Sequence, residues 1–496
     1  DTFSSRGLGD VYKRQVVCSV SCSKNKINLD YNTLSSYSIV TENKSKYIAD
    51  TLNVYLKKSF GIKLPVESNI KKNNYIHLKY DSKVKDDFIS FNFSENAITI
   101  LANNNKMLAY GVYDFLEKYF SIRWYSTDLT LIPKLKEIEI PLSKEIIYKP
   151  PVTTRTVHSR LFYKDSSFAD KLKMSNEAFP NYVPNARVHT FHRFMPFEKF
   201  YLDHPEYYAL RNGKRLATQL CLTNEDVFEI VRDSVASFFN KNPLSSVISV
   251  SQDDNTQYCT CENCSKIDKK EKSPAGSMIY FVNKIARLFP EKTISTLAYQ
   301  YTRKPPLTKP DSNVLITLCS IECDRSIPIS EGCKDFESDL IGWSKLTENI
   351  RIWDYTTQFT NFLAPFPNWG TIKPNINLFV NSNAKWIFEQ HSNNPSELFE
   401  LRSYLMAKLL WNPNLDSDLV IKDFTNGYYG EGGEYIVEYI EEIQNQLNIT
   451  KPFFLFLYGD PSQAFDSYLS PKNLTNYDNL YKKALLSVPK NSDYYS

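Results

Sequence analysis

Between residues 153 and 389, short apolar runs rich in β-branched side chains recur eight times, with helical or loop segments between them. They fall at 153–159, 186–191, 204–222, 247–250, 293–301, 313–319, 350–355 and 384–389. The segments at 226–239 and 277–289 carry apolar residues at helical spacing, as crossovers between strands do. Strand and crossover repeated along one chain predict a parallel sheet with helices outside it. Eight such units predict an α/β chain built on a (β/α)8 TIM-like barrel.

Catalytic groups on such a barrel stand at the C-terminal ends of the strands. The fourth run, Val247-Ile248-Ser249-Val250, breaks into Gln252, Asp253, Asp254 and Asn255. Taken alone this is an Asx-rich turn. Its context changes the reading. Glu322 follows the sixth run, Asp354 closes the seventh and Glu389 the eighth. His158, Arg160, His189, His192 and Arg193 follow the first two. Each singly suits a salt bridge or a turn; together they outline one polar cavity. Carboxylates in unequal environments are what glycoside hydrolysis uses, one protonating the leaving oxygen and another supporting an oxocarbenium-like transition state. An adjacent pair such as Asp253-Asp254 also suits attack by a substrate's own 2-acetamido oxygen, one acid orienting the amide and its neighbour protonating the leaving group. Gln252 and Asn255 are candidate substrate contacts, as are Tyr299, Tyr301, Trp353, Tyr355 and Trp369, whose faces suit sugar rings; Phe359 and Phe366 read as core.

The remaining chain divides around this unit. Residues 31–148 read as a small α+β domain, with helical patterns inside 39–67 and at 106–120 and strands at 75–80, 88–93 and 97–101. The barrel is expected over 149–394, after Lys149-Pro150-Pro151. Helical patterns in 395–496 predict an annex against the barrel. Residues 5–15, SRGLGDVYKRQ, resemble a translated sequencing adapter, so residues 1–15 are set aside. Residues 16–30 resemble the remnant of a bacterial lipoprotein signal, with Cys22 the expected lipidation site ahead of Cys18. Export to the periplasm or the outer-membrane or cell surface follows as an expectation.

A formal net charge of +3, without a basic arm or stripe, gives no ground for a nucleic-acid partner. No cofactor motif is present. Cys259, Cys261 and Cys264 are spaced C-x-C-x-x-C. They fit a metal knuckle completed by Cys221, Cys319, Cys323 or Cys333, or disulfides in an oxidising compartment, or buried thiols.

Several motifs are specific enough to carry a resemblance. Residues 106–128, KMLAYGVYDFLEKYFSIRWYSTD, resemble the small domain that precedes the barrel in α-glucuronidases and β-hexosaminidases. The stretch from Ile248 to Ala286, together with TLAYQYTRKPP, CSIEC, IWDYTTQF, PFPNW, IFEQ and LRSYLMAKLLWNP, resembles a bacterial domain of unknown function numbered 4838, common in glycan-utilisation loci of Bacteroidetes. That domain is similar to glycoside hydrolase family 163, whose members act as endo-β-N-acetylglucosaminidases on complex N-glycans. The resemblance covers about residues 106–430 and implies a catalytic barrel, a glycan or glycoprotein substrate and substrate-assisted hydrolysis with retention. Relatives often carry Asn at the position of Asp253, which implies Asp254 as proton donor and Asp253 as the acetamide-orienting acid. Glu322, Asp354 and Glu389 lie in matching motifs without individual roles. Two alternatives stand beside this reading. One is an α-glucuronidase-type exo-hydrolase with a separated inverting pair; the other is a lipoprotein that binds glycans without cleaving them.

Overall fold

The computed structural model describes residues 26–492 and residue 494. The adapter-like residues 1–15 and the expected lipidation site Cys22 lie outside the described residues. No helix among those described is long and apolar enough to cross a membrane.

The N-terminal unit is built on a six-stranded mixed sheet. Its strands are β1 (Ser38–Thr41), β2 (Val66–Glu67), β3 (Tyr75–Tyr80), β4 (Ile89–Phe93), β5 (Ala97–Ala102) and β6 (Ser143–Tyr148), in the order β6-β4-β5-β3-β1-β2. Two helices, α1 (Lys46–Phe60) and α2 (Asn105–Tyr119), accompany it. The helical pattern seen inside 39–67 is confined to α1, where Ile48, Leu52, Tyr55 and Leu56 share the buried face. Gly61, at φ +75°, ends the helix by returning its N–H to the Lys57 carbonyl, a left-handed cap that favours glycine. The flanks of that pattern are strands, because Ile39 and Val40 are β-branched and pair with Ile76 and His77.

A second six-stranded sheet, wholly parallel, carries the chemistry-bearing strand ends. It comprises β7 (Thr154–Val157), β10 (Val247–Ser249), β11 (Thr293–Ala298), β12 (Val314–Cys319), β13 (Ile350–Tyr355) and β14 (Ala384–Gln390), in the order β7-β14-β13-β12-β11-β10. Alternation along the strands separates two faces. Ile248, Ile294, Ile316, Ile352 and Ile387 face the helices and join the main core. Val247, Leu315 and Trp386 pack with Tyr182 on the concave side, and Leu297, Cys319 and Tyr355 form a second layer toward the C-terminal ends.

Six of the eight expected strands therefore form the ladder, and the other two are corrections. The expected second strand at 186–191 is irregular chain. Residues 173–186 span the gap between β7 and β10. The Ser175 N–H donates to the Arg155 carbonyl at 2.9 Å. Beside β10 the Val247 N–H donates to the Asn181 carbonyl at 3.0 Å, the Val183 N–H to the Val247 carbonyl at 2.8 Å and the Ser249 N–H to the Ala186 carbonyl at 2.9 Å, a partial parallel pairing too irregular to form a strand. The expected third strand region folds into an antiparallel hairpin, β8 (Tyr208–Arg211) and β9 (Lys214–Leu220). Asn212-Gly213 makes its two-residue turn with φ +49° and +75°, a combination that favours Asn-Gly and a tight hairpin over a crossover.

Between β9 and β14 run α3 (Glu225–Lys241), α4 (Glu262–Glu271), α5 (Ala275–Leu288), α6 (Lys334–Ser344) and α7 (Trp369–Asn381); α8 (Phe399–Trp411), α9 (Ser417–Tyr429), α10 (Gly433–Ile449) and α11 (Pro471–Ser487) follow. Cys323 and Cys333 form a disulfide across the loop before α6. Buried ion pairs join the parts of the chain. Glu117 on α2 binds Lys173 at 2.9 Å and also Lys408 on α8. Arg123 binds Asp423 on α9 at 2.9 Å.

Candidate active site

Asp253 and Asp254 stand just beyond the C-terminal end of β10. The loop is held from below by Gln252, fully buried, whose Nε2 donates to Thr302 Oγ1 at 2.7 Å and to the Tyr299 carbonyl at 3.1 Å. Gln252 is thus a support for the loop and not the substrate contact expected of it. His189 Nδ1 donates to the Gln252 carbonyl at 2.8 Å, fixing the imidazole beneath the acidic pair.

Gln219 on β9 grips the same loop from the side. Its Oε1 accepts the Asp253 N–H at 3.1 Å, and its Nε2 donates to the carbonyls of Asp253 at 2.7 Å and Asn255 at 3.0 Å. Sequence alone did not single out this residue; a glutamine in a hairpin carries no signal until the hairpin is docked. The two carboxylates then diverge. Asp253 Oδ1 accepts from His192 Nδ1 at 2.6 Å. Asp254 is exposed, with Gln300 Nε2 at 3.3 Å and the Tyr299 phenol nearby. Burial, with Asp254 nearby, pushes the Tyr299 phenol up to about 12, so it stays protonated.

A cavity of about 260 Å³ opens beside Asp253, lined by His192, Asn255, Gln219, Tyr208 and Phe197 among others. Its wall combines one carboxylate, one imidazole, two amides and aromatic side chains. A second cavity, about 400 Å³, lies at the ends of β7, β13 and β14, with His158, Tyr163, Glu177, Arg187, Trp353 and Gln390 in its lining. There Trp353 Nε1 donates to Gln390 Oε1 at 2.6 Å, and burial holds His158 below the ordinary imidazole value.

The other expected residues divide sharply. Glu322 is exposed, and its carboxylate accepts from Arg303 Nη1 at 2.5 Å. It still belongs to the same electrostatic neighbourhood as Asp254. Burial pushes the Cys319 thiol up to about 12; Arg351 opposes this, and Glu322 and Asp254 both add to it. None of Glu322, Asp354 and Glu389 lines either cavity, and the last two also face away from them. They follow Ile352 and Ile387 in strand alternation and so face the helices. Asp354 accepts from Ser320 Oγ and sits 3.9 Å from Arg325 Nη2. Glu389 is buried, with no hydrogen-bond partner for either carboxyl oxygen among the described residues, and burial followed by the Asp354 charge raises its carboxyl well above the usual range. Carboxylates close the runs at 350–355 and 384–389, but a one-residue difference in parity places these two on the opposite face.

Three of the aromatic platforms are also corrections. Trp369 is core, its ring 3.9 Å beneath the Arg402 guanidinium. Tyr355 is covered by Leu457, a fully buried side chain from an apolar stretch near the C-terminus that packs on Leu297 and Cys319 as well. Burying one leucine contributes ~1.5–3 kcal/mol, enough to keep that stretch seated on the concave face. Tyr301 stacks on Tyr258 at 4.8 Å instead of standing free. Arg160 likewise lies over the Phe399 ring at 5.4 Å and reaches neither cavity.

Several solved structures have a fold similar to this one. BtGH115A, a family GH115 4-O-methyl-α-glucuronidase with specificity for decorated arabinogalactans, superposes with a TM-score of 0.55 at 9% identity, covering 93% of this chain and 70% of the enzyme. A GH20 β-N-acetylhexosaminidase from Streptomyces coelicolor gives 0.45 at 10% identity, over 85% of this chain and 95% of its own. A β-N-acetylhexosaminidase from Bacteroides fragilis gives 0.39 at 12%, over 81% and 90%. No curated protein sequence matches this one. The profile of a domain of unknown function, DUF4838, matches residues 124–441, nearly two thirds of the chain. That span begins inside the N-terminal unit, takes in β6 and the parallel sheet and ends in α10, and the chain belongs to the DUF4838 family.

Proposed function

We propose that the protein is a glycoside hydrolase acting on N-acetylglucosamine-containing glycans, endo-acting on N-glycans, with Asp253 and Asp254 as its reacting acids. The observation that carries this reading is the division of labour between two adjacent carboxyls. Asp253 is fixed by His192 at the cavity wall, while Asp254 is exposed beside a protonated phenol. In the first step the 2-acetamido oxygen attacks C1, the glycosidic C–O bond breaks, and Asp254 gives its proton to the departing oxygen. Asp253 accepts a hydrogen bond from the acetamide N–H and supports the charge that develops on the ring. Water then opens the oxazolinium ion at C1, with Asp254 taking the water proton, and configuration is retained.

The α-glucuronidase reading keeps one specific support. Arg187 and His158 line the larger cavity, where a guanidinium suits a uronate carboxylate. Fold likeness to the GH115 enzyme is compatible with it but does not select it.

Export as a lipoprotein through Cys22 completes the proposal. It is supported by the lipoprotein-like residues 16–30 and by the Cys323–Cys333 disulfide, a bond that persists in oxidising compartments.

The decisive experiment is mass spectrometry of an intact N-glycoprotein after incubation with the protein. The expected product keeps one N-acetylglucosamine on each asparagine. Asp254→Asn is expected to slow release by about two to four orders of magnitude while glycan binding is kept. Unchanged release in that variant overturns the assignment of Asp254. Release of uronic acid alone, from a uronate-capped glycan, selects the second reading. Binding without any cleavage by the native protein selects a non-catalytic glycan-binding role.

A further inference from the structure

We propose that Cys221, Cys259, Cys261 and Cys264 bind one divalent zinc ion as a closed tetrathiolate site that ties the β8–β9 hairpin to the loop bearing Asp253 and Asp254. This inference does not depend on the substrate or the reaction. The four thiols come from three places in the chain. Cys221 directly follows β9, Cys259 lies in the loop beyond Asn255, and Cys261 caps α4, with Cys264 in that helix's first turn. Their sulfurs all lie within 4.8 Å of one another, and Cys221 Sγ is 3.6 Å from Cys261 Sγ. Four sulfurs around zinc at about 2.3 Å stand ~3.8 Å apart in a tetrahedron. A disulfide needs about 2.05 Å between two of them and gives no reason for four to converge. The other candidate ligands drop out. Cys323 and Cys333 are bonded to each other, and Cys319 packs with Leu297 and Tyr355 on the concave face of the sheet.

The surroundings suit thiolates. The Leu210 N–H donates to Cys259 Sγ at 3.4 Å, and Thr223 Oγ1 lies 3.3 Å from Cys264 Sγ. The Arg215 guanidinium, held by the Tyr208 carbonyl at 2.7 Å, stands near Cys221. Cys261 and Cys264 also sit at the N-terminal end of α4, where the aligned peptide dipoles favour negative charge. Binding Zn²⁺ displaces the four thiol protons and leaves a site of formal charge −2, which Arg215 and these donors offset. Cys221, Cys259 and Cys264 are buried and all four positions are filled by protein, so the site is structural; a catalytic zinc keeps one position open. Its place explains its use. Gln219, which holds Asp253 by two hydrogen bonds and Asn255 by a third, is two residues from Cys221.

Elemental analysis of the full chain, purified without chelator, tests this directly. The expected result is one zinc per chain, released on titration with an organomercurial that consumes the four thiols. Cobalt substitution is expected to give thiolate-to-metal charge-transfer bands and tetrahedral d–d bands. Cys264→Ser is expected to lose the metal. Because that variant can fail to fold, the denatured mass of the native chain serves as a second readout. A mass lower by four hydrogens than the chain with only the Cys323–Cys333 bond means two further disulfides and overturns the proposal. Absence of stoichiometric metal with four reactive thiols overturns it equally. Stoichiometric iron in place of zinc overturns the choice of ion.

Discussion

His192 Nδ1 and Asp253 Oδ1 lie 2.6 Å apart, although 61 residues separate them in the chain. The short helix carrying His192 and the loop after β10 meet because both are anchored to the same strand end. The Thr190 N–H donates to the Ser251 carbonyl at 3.1 Å, and Thr190 Oγ1 donates to the Ser249 carbonyl at 2.9 Å. The imidazole thus holds one acid of the pair and leaves the other to the solvent side.

Replacing His192 by Ala removes a hydrogen bond to a carboxylate, worth ~1.5–3 kcal/mol in such pairs. Under the proposed mechanism, kcat/KM for glycan release is expected to fall about 10- to 100-fold, chiefly through kcat, because orientation of the acetamide matters most in the transition state. Steady-state kinetics on a purified glycopeptide reads this. Unchanged kcat would remove His192 from the positioning of Asp253.

Gln219→Ala deprives the Asp253 N–H and two loop carbonyls of their partner. A stability loss of ~1–3 kcal/mol is expected from the unpaired groups. Turnover is expected to fall about 10²-fold if the loop shifts by an ångström. Gln219→Glu should not rescue it, since a carboxylate cannot donate to the two carbonyls. Urea unfolding and initial rates measure the two effects separately.

The Glu117 carboxyl is a stability switch between the parts of the chain. Burial alone would raise it, but Lys173, Lys408 and Arg123 outweigh burial and hold it well below the usual carboxylate range. A depressed carboxyl contributes its stability above the unfolded-state value and loses it as pH falls through the folded one. Glu117→Gln leaves Lys173 leaning on Asp114 at 3.2 Å and takes the carboxylate away from Lys408. It is expected to cost ~3–5 kcal/mol at neutral pH, the scale for breaking a buried pair. Chemical denaturation at pH 7 tests the magnitude.

Glu389 has the opposite sign. Its raised value means the folded chain keeps a proton that the unfolded chain releases above the ordinary carboxylate range. Stability is therefore lost as pH rises from that range toward the raised folded value. Glu389→Gln removes the titration, so the melting temperature of the variant is expected to fall less than that of the native chain between pH 5 and pH 8. Calorimetry at several pH values in this interval checks the slope. Equal slopes would show that Glu389 does not hold the extra proton.

Much of the architecture is legible in local patterns. The runs at 293–301, 313–319, 350–355 and 384–389 became β11 to β14 because β-branched residues bounded by turns specify strands with little help from context. The Asp253-Asp254 pair was visible because two acids after a buried apolar run are costly anywhere except at a solvent-facing strand end. The hairpin at 208–220 was also written locally, in Asn212-Gly213, yet it is masked in a series that otherwise reads as strand and crossover.

What the amino-acid order determined by itself is therefore six strands of the parallel sheet, most of the helices, the acidic strand end after β10 and the spacing of three of the four clustered cysteines. Tertiary structure alone decided which side chains share a face. Asp354 and Glu389 turned toward the helices, Leu457 came from a distant segment to cover Tyr355, and Cys221 joined its three partners. The physical reason is range. Backbone preference and hydrophobic period act over a few residues, whereas strand parity across a sheet and the docking of distant segments depend on packing that the whole chain must settle at once.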